Sequence, residues 1–269
     1  MRNVLRDAET LSRPVNGVKM SGDRRGRVQS VEVGVGLLRA LIDAGEPQAL
    51  GVLARTAGMA PPKAHRYLAS YVESGLVVQS ERSGAYDLGP LAVRMGLTAI
   101  DRYHALAGAV ERLDEFRDTI EQTTMLTVWA EGGPVVARIA LSRQPVTLAV
   151  RPGTTFPLLT SASGRIFLAF AEPRLTSALV EKELAHAASL AAPGLPKTRA
   201  EVDALVAEIR DRSLARVSQT FLIGVEAIAG PIFGPDGRLA AALTAVGHPG
   251  NIDISWDGPT ARAITAFAQ

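Results

Sequence analysis

Apolar positions recur at helical spacing through most of the first hundred residues, and the period changes to two only in the second half of the chain. Val28 to Ala44 reads as a first helix, with Val31, Val35, Leu38 and Leu41 or Ile42 as its buried stripe. Gly34 and Gly36 lie inside it; each costs about 1 kcal/mol relative to Ala in a helix, so they predict close packing against a neighbour. Leu50 to Gly58 and Pro61 to Ser74 form a second and third helix around the turn Met59-Ala60-Pro61-Pro62, the prolines suiting a first helical turn. In the third helix Ala64, Tyr67, Leu68, Tyr71 and Val72 share the apolar face, while Pro62, Lys63, Arg66 and Ser70 lie opposite. Leu76 to Gln79 and Ala85 to Leu88 are short strands about the turn Ser80 to Gly84. Three helices and a two-stranded wing are a winged helix-turn-helix.

Gly89-Pro90 opens a linker helix running to about residue 106. Val110, Leu113, Phe116 and Ile120 then mark another amphipathic helix. Alternation follows in Met125 to Ala130 and Val135 to Leu141, around the turn Glu131 to Pro134, and again in Val146 to Val150. Ser161 to Phe170 is a short helix with Ser161 or Ser163 near its N-cap. Helices follow at Pro173 to Ala185 and Ala200 to Arg212. Val225 to Phe233 and Arg238 to Val246 make a second hairpin, and Ser255 to Phe267 a last helix. Strand pairs interleaved with helices, without βαβ regularity, predict an α+β domain on an antiparallel sheet. The expected division is a disordered basic arm at 1–26, the winged helix-turn-helix at 27–89, the linker helix at 90–106 and a second domain at 107–269.

Composition narrows the class. The chain has 269 residues, 47% hydrophobic and 21% charged, as in soluble globular proteins. No apolar run approaches a membrane span, the start lacks a signal-peptide core, and a cytoplasmic location is expected. With no cysteine there is no disulfide framework or thiolate site. Residues 1–104 carry 14 Lys and Arg against 10 Asp and Glu, the remainder 15 against 17. A basic first part suits a polyanion partner. The four histidines, at 65, 104, 186 and 248, show no metal-ligand spacing, and no Gly-x-Ser-x-Gly elbow surrounds Ser161 or Ser163. A His248 general base, a hydrolase built on either serine, and a ligand-free interaction module are the alternatives to a sensor.

Several stretches resemble the IclR family of bacterial transcription regulators. They are Gln29 to Glu32, Leu53-Ala54-Arg55, Gly58-Met59, His65 to Leu68, Gly75 to Val77 and Tyr86 to Pro90. In the second half they are Arg151 to Thr154 with Pro157, Ser161 to Arg165, and Gly224 to Phe233. The resemblance runs from about residue 27 to the C-terminus. It implies a C-terminal effector domain of GAF/PAS-like architecture, a homo-oligomer pairing through its DNA-binding domains with tetramers through effector domains, and double-stranded operator DNA as partner. It implies no cofactor and no enzymatic activity. Two departures stand out: Ala60-Pro61-Pro62-Lys63 replaces the Pro-Lys-Ser-Thr frequent in the family, and Ser213-Leu214 stands where Gly-Tyr is common.

DNA binding needs cations at phosphate spacing and a few side chains reaching base edges. Lys63 and Arg66 are the leading candidates, with Pro62, His65, Ser70 and the wing's Arg82 beside them. Tyr67 and Tyr71 share the apolar face and read as core rather than base-stacking residues. For the effector, commonly a small organic acid or aromatic catabolite in the family, the start of the Ser161 helix offers free N–H groups and hydroxyls to a carboxylate. Ser161, Ala162, Ser163 and Gly164 are expected there, with Ala227, Ile228, Thr244 and Val246 as walls. Plain N-capping is the alternative use of the serines. Trp129, on one strand face with Met125 and Thr127, is expected in the core. An aromatic carboxylate and a repressor-type regulator are the resulting expectations, with activation left open.

Overall fold

The computed structural model describes residues 28–101, 104–130, 132–143, 150–187 and 194–268. The expected basic arm lies outside these residues, as does most of the strand expected at Val146 to Val150. The chain divides into two compact units, residues 1–103 and 104–269.

In the first unit, helices α1 (Gln29–Ala44), α2 (Leu50–Thr56) and α3 (Pro61–Glu73) precede the two-stranded β1 (Val77–Gln79) and β2 (Tyr86–Leu88), and α4 (Pro90–Asp101) follows. The strands pair antiparallel from Val77↔Leu88 to Gln79↔Tyr86. Gln48 adds a bridge to Tyr86, so the chain between α1 and α2 extends the small sheet. The core is Leu37, Ala40 and Leu41 from α1, Leu53 and Ala54 from α2, Ala64 and Leu68 from α3, and Val77 and Tyr86 from the wing.

That core keeps Leu41 of the stripe expected on α1, with Leu38 packed against it, and corrects the rest. Gly34, Leu37, Ala40 and Leu41 face inward, whereas Val31 is 61% and Ile42 49% exposed. The reason is the approach of α3. A Cβ at Gly34 would stand 2.1 Å from the Tyr71 Oη and 2.9 Å from the Tyr67 Cδ1. Glycine at 34 thus lets the two tyrosines lie against α1, which turns the Gly34–Leu37–Leu41 face inward. Gly36 has no such neighbour: a Cβ there would meet only the Ala57 Cβ, at 4.0 Å.

The second unit holds α5 (His104–Ile120), β3 (Thr123–Ala130), β4 (Gly133–Ala140), α6 (Ala162–Phe170), α7 (Pro173–Ala187), α8 (Arg199–Arg212), β5 (Ala215–Ser218), β6 (Glu226–Phe233), β7 (Leu239–Gly247) and α9 (Pro259–Phe267). The strands form one antiparallel sheet in the order β4-β3-β7-β6-β5. The first hairpin is tighter than expected, with Ala130 paired to Gly133 and Pro134 opposite Trp129. Proline is tolerated there because β4 is an edge strand. Strand β5 was not foreseen; it is four residues long, on the other edge, and directly follows a helix.

Side chains alternate across the sheet. Met125, Val136, Ala227, Ala229, Ala242 and Val246 meet Ile166 and Phe167 of α6 on one face. The opposite face carries α5 and α9: a Cβ at Gly230 would collide with the Ile264 side chain of α9, and Phe116 of α5 packs on Phe267 at 4.9 Å. Trp129 packs on Phe167 at 5.8 Å. Among the described residues no helix is long and apolar enough to cross a membrane.

Candidate functional sites

Helix α3 carries the first site. Ala64 and Leu68 seat it on the core, and Tyr67 and Tyr71 lean on α1 in a tilted pair 6.5 Å apart. Burial lifts the Tyr71 phenol above its ordinary value, with Tyr67 adding to the effect. Pro62, Lys63, His65, Arg66 and Ser70 all lie exposed, as does Arg82 at the wing tip. Lys63, Arg66 and Ser70 follow one another at i, i+3 and i+7, a single helix face. Among the described residues Lys63, Arg66 and Arg82 form no ion pair. The Ser70 hydroxyl donates back to the Arg66 carbonyl at 3.2 Å.

The start of α3 is unusual in its donors. Its N-cap, Ala60, has no side-chain bond, and its first two residues are both proline. Helix N-termini bind phosphate through free N–H groups, and here the first two do not exist. A phosphate at this helix start would have to be met by side chains.

The second site is a cavity between α6 and the sheet. Ser161, Ala162 and Ser163 line it, with Met125, Ala227, Thr244 and Val246 from the strands. Val150, Phe156, Val217, Phe221, Leu222 and Val225 complete the wall. Two expected residues are elsewhere. Ile228 points to the other sheet face, opposite in phase to Ala227. Gly164 is inside the first turn, where a Cβ would stand 1.9 Å from the Pro157 carbonyl oxygen.

The two serines do different work. The Ser161 hydroxyl caps α6, accepting from the Gly164 N–H at 2.9 Å and donating to the Pro157 carbonyl at 2.6 Å. The Ser163 hydroxyl lies in a buried cluster, accepting from Thr127 at 3.3 Å and sharing a 2.7 Å bond with Thr244. Ser163 and Thr244 are each 1% exposed. Three hydroxyls linked by two bonds leave one hydrogen over, and with Thr127 already donating it belongs to Ser163 or Thr244, both on the cavity wall. The Ala162 and Ser163 N–H groups add to it, since first-turn amides have no acceptor within the helix. The cavity therefore presents donors at its deep end and hydrocarbon elsewhere.

Buried side chains hold this end in shape. Arg165, 6% exposed, donates to the carbonyls of Leu159 at 2.9 Å, Arg216 at 2.8 Å and Gly194 at 3.0 Å. Burial pushes its guanidinium down to about 10, Glu208 acting the other way, so it remains charged at neutral pH. All three bonds go to backbone, which makes Arg165 part of the frame. From α7, Glu183 accepts the Leu158 and Leu159 N–H groups, each at 2.8 Å. Burial raises its carboxyl above the usual range, against the pull of those two bonds and of Lys182.

Phe156, Val217, Phe221, Leu222 and Val225 were missed from sequence. The inward phase of Val217 would have followed from recognising β5; the loop residues carry no periodic signal. The His248 Nδ1–H donates to the Gly224 carbonyl, 2.8 Å away, and the residue is exposed. Among the described residues no group of His, Asp and Glu is placed to hold a metal ion.

Comparison with known proteins finds two family models in this chain. A model of the IclR helix-turn-helix domain matches residues 30–81, and one of the bacterial transcriptional regulator IclR C-terminal domain matches residues 97–266. The glycerol operon regulatory protein of Streptomyces griseus is 26% identical over 89% of this chain and 92% of its own. The crystal structure of Pseudomonas aeruginosa HmgR is 35% identical, with a TM-score of 0.56 over 90% of this chain and 95% of that one. An IclR homolog from Microbacterium hydrocarbonoxydans, complexed with 4-hydroxybenzoate, shares the fold at a TM-score of 0.75 and 20% identity, covering 89% and 95%.

Proposed function

The chain belongs to the IclR family of bacterial transcription regulators, and on that premise we propose that it binds a near-palindromic operator as a homo-oligomer and senses an aromatic carboxylate in the α6 cavity. The observation that carries the ligand class is the cavity's division into a deep donor end at Ser163 and Thr244 and an otherwise apolar wall with two phenylalanines. No cation lines it. A carboxylate there is held by hydroxyls and first-turn amides, and an aromatic ring fills the remainder. The 4-hydroxybenzoate bound by the Microbacterium protein is a ligand of this kind.

On DNA, α3 lies in the major groove with Arg66 reaching a base edge or phosphate and Lys63 a phosphate; Pro62, His65 and Ser70 flank them, and Arg82 meets the backbone from the wing. Pairing of two copies is supported by α1. Val28, Val31, Val35, Leu38 and Ile42 repeat with the 3–4 spacing of a coiled-coil seam, and Val28, Val31 and Ile42 are left in solvent by the monomer's own core.

The effector reading is tested on the whole chain. Benzoate and 4-hydroxybenzoate are titrated while melting temperature and affinity for operator fragments, selected from a random DNA pool, are followed. A ligand that discriminates two arrangements of the heads changes operator affinity by roughly 5–150-fold, reciprocally. A repressor releases DNA and an activator tightens on it. Unchanged melting and DNA affinity with either acid would remove the aromatic-carboxylate reading and favour an interaction module. Turnover of a bound acid would make it an enzyme.

A further inference from the structure

The connection between β5 and β6 is longer than its strands require. The pairing ends at Ser218↔Glu226, where a two-residue turn would suffice; residues 219–225 intervene. Gln219 and Gly224 take left-handed φ values of 55° and 74°, and between them the chain is brought back over the cavity. Phe221 and Leu222 line the cavity, while Ile223 is 95% exposed. The flap is tied to the opposite wall by the Thr220 hydroxyl, which donates to the Thr160 carbonyl at 2.8 Å. At its base the Gln219 side chain accepts the Gly224 N–H at 3.1 Å.

Burial gives the cavity a direction. Ser163 and Thr244 are sealed from solvent, and Phe221 is 38% exposed. The Phe221 ring meets buried Phe156 edge-on, centroids 5.5 Å apart at 83°. Phe221 therefore stands toward the mouth, on the solvent side of the cavity, with Ser163 and Thr244 on its sealed side.

We infer that Phe221 is the specificity-determining residue for ligand length: it is the wall met by the far end of an acid anchored at Ser163 and Thr244. The inference rests on the cavity being the effector site. Phe221 is partly exposed and sits on a loop, so it is the part of the wall whose replacement changes the cavity's reach without opening the core. Neighbouring Ile223 shares the loop but not the cavity, and serves as the control.

Calorimetric titration of the full chain with benzoate and biphenyl-4-carboxylate tests this in wild type, Phe221→Ala, Phe221→Trp and Ile223→Ala. Wild type and Ile223→Ala should prefer benzoate. Phe221→Ala should shift the preference toward the biphenyl acid by at least roughly tenfold, the scale on which pocket size discriminates, and Phe221→Trp should abolish biphenyl binding. A preference unchanged in Phe221→Ala, or shifted equally in Ile223→Ala, would overturn the role of Phe221 and leave the cavity reading standing. Absence of binding of either acid to wild type would overturn the cavity reading, and the inference with it.

Discussion

At the scale of single residues, both sites rest on side chains whose neighbours leave them free to act. Lys63 and Arg66 stand exposed on one face of α3, beside a helix start that offers prolines in place of amide donors. Their roles separate in a mobility-shift titration across salt. Arg66→Ala should weaken operator binding by about 1–3 kcal/mol and relax preference at one base pair, whereas Lys63→Ala should weaken all sequences alike and lower the salt slope by about 1. Unchanged operator affinity of Arg66→Ala would remove its assignment. The serines separate similarly. Ser161→Ala removes the α6 cap and should cost about 1 kcal/mol of stability. Ser163→Ala combined with Thr244→Val removes both cavity-wall hydroxyls, and the spare hydrogen with them, and should lower affinity for benzoate by about 0.5–1.5 kcal/mol. A calorimetric titration that left this double variant at wild-type affinity would place the acid elsewhere.

At the scale of elements, what could be read from sequence depended on whether one period or one residue type decided the matter. The α3 face of Ala64, Tyr67, Leu68 and Tyr71, the two hairpins of the large sheet and the Ser161 cap each follow from a local pattern, and the structure holds them within a residue or two, whereas Val72, expected on that face near the helix end, is 39% exposed. Helix α1 was ambiguous because it carries two apolar stripes, and the period fits both. The choice is made by Gly34 against Tyr67 and Tyr71, residues more than thirty positions away. Half of the cavity was hidden for the same reason: Phe156 and Phe221 meet only after the sheet has formed. The grip of Glu183 on the chain leading into α6 was equally invisible, and it has a pH signature. Its carboxyl binds a proton more readily in the folded than in the unfolded chain. The stabilisation from that proton is complete below the ordinary carboxylate value and is lost as pH rises through Glu183's own raised value. Stability should therefore decline with pH just above the usual carboxylate range, and Glu183→Gln should flatten that decline. Thermal melts from about pH 4 to 7 would show it; identical slopes would mean that Glu183 titrates alike in both states.

At the scale of the whole molecule, the exposed positions on α1 bear on the proposed pairing of two copies on an operator. A single α3 presents two cations and a wing arginine, too little for a stable specific complex; two copies on adjacent half-sites add their energies and square the discrimination. The spacing of Val28, Val31, Val35, Leu38 and Ile42 suits a second copy of the same helix, since a seam repeating at a and d buries its knobs in an identical neighbour. Val31 is the position to change because it is exposed and outside the unit's own core. Val31→Asp should leave the fold and the melting temperature nearly intact, because surface substitutions outside the core usually stay within about 0.5 kcal/mol. It should remove cooperativity between half-sites by placing two like charges in the seam. In a titration against a full operator and an isolated half-site, wild type should favour the full site far beyond a statistical factor. Val31→Asp should bind both with nearly the weak half-site affinity. If Val31→Asp retained the wild-type ratio, the stripe would not be the pairing surface, and pairing through the effector units would have to supply the symmetry instead.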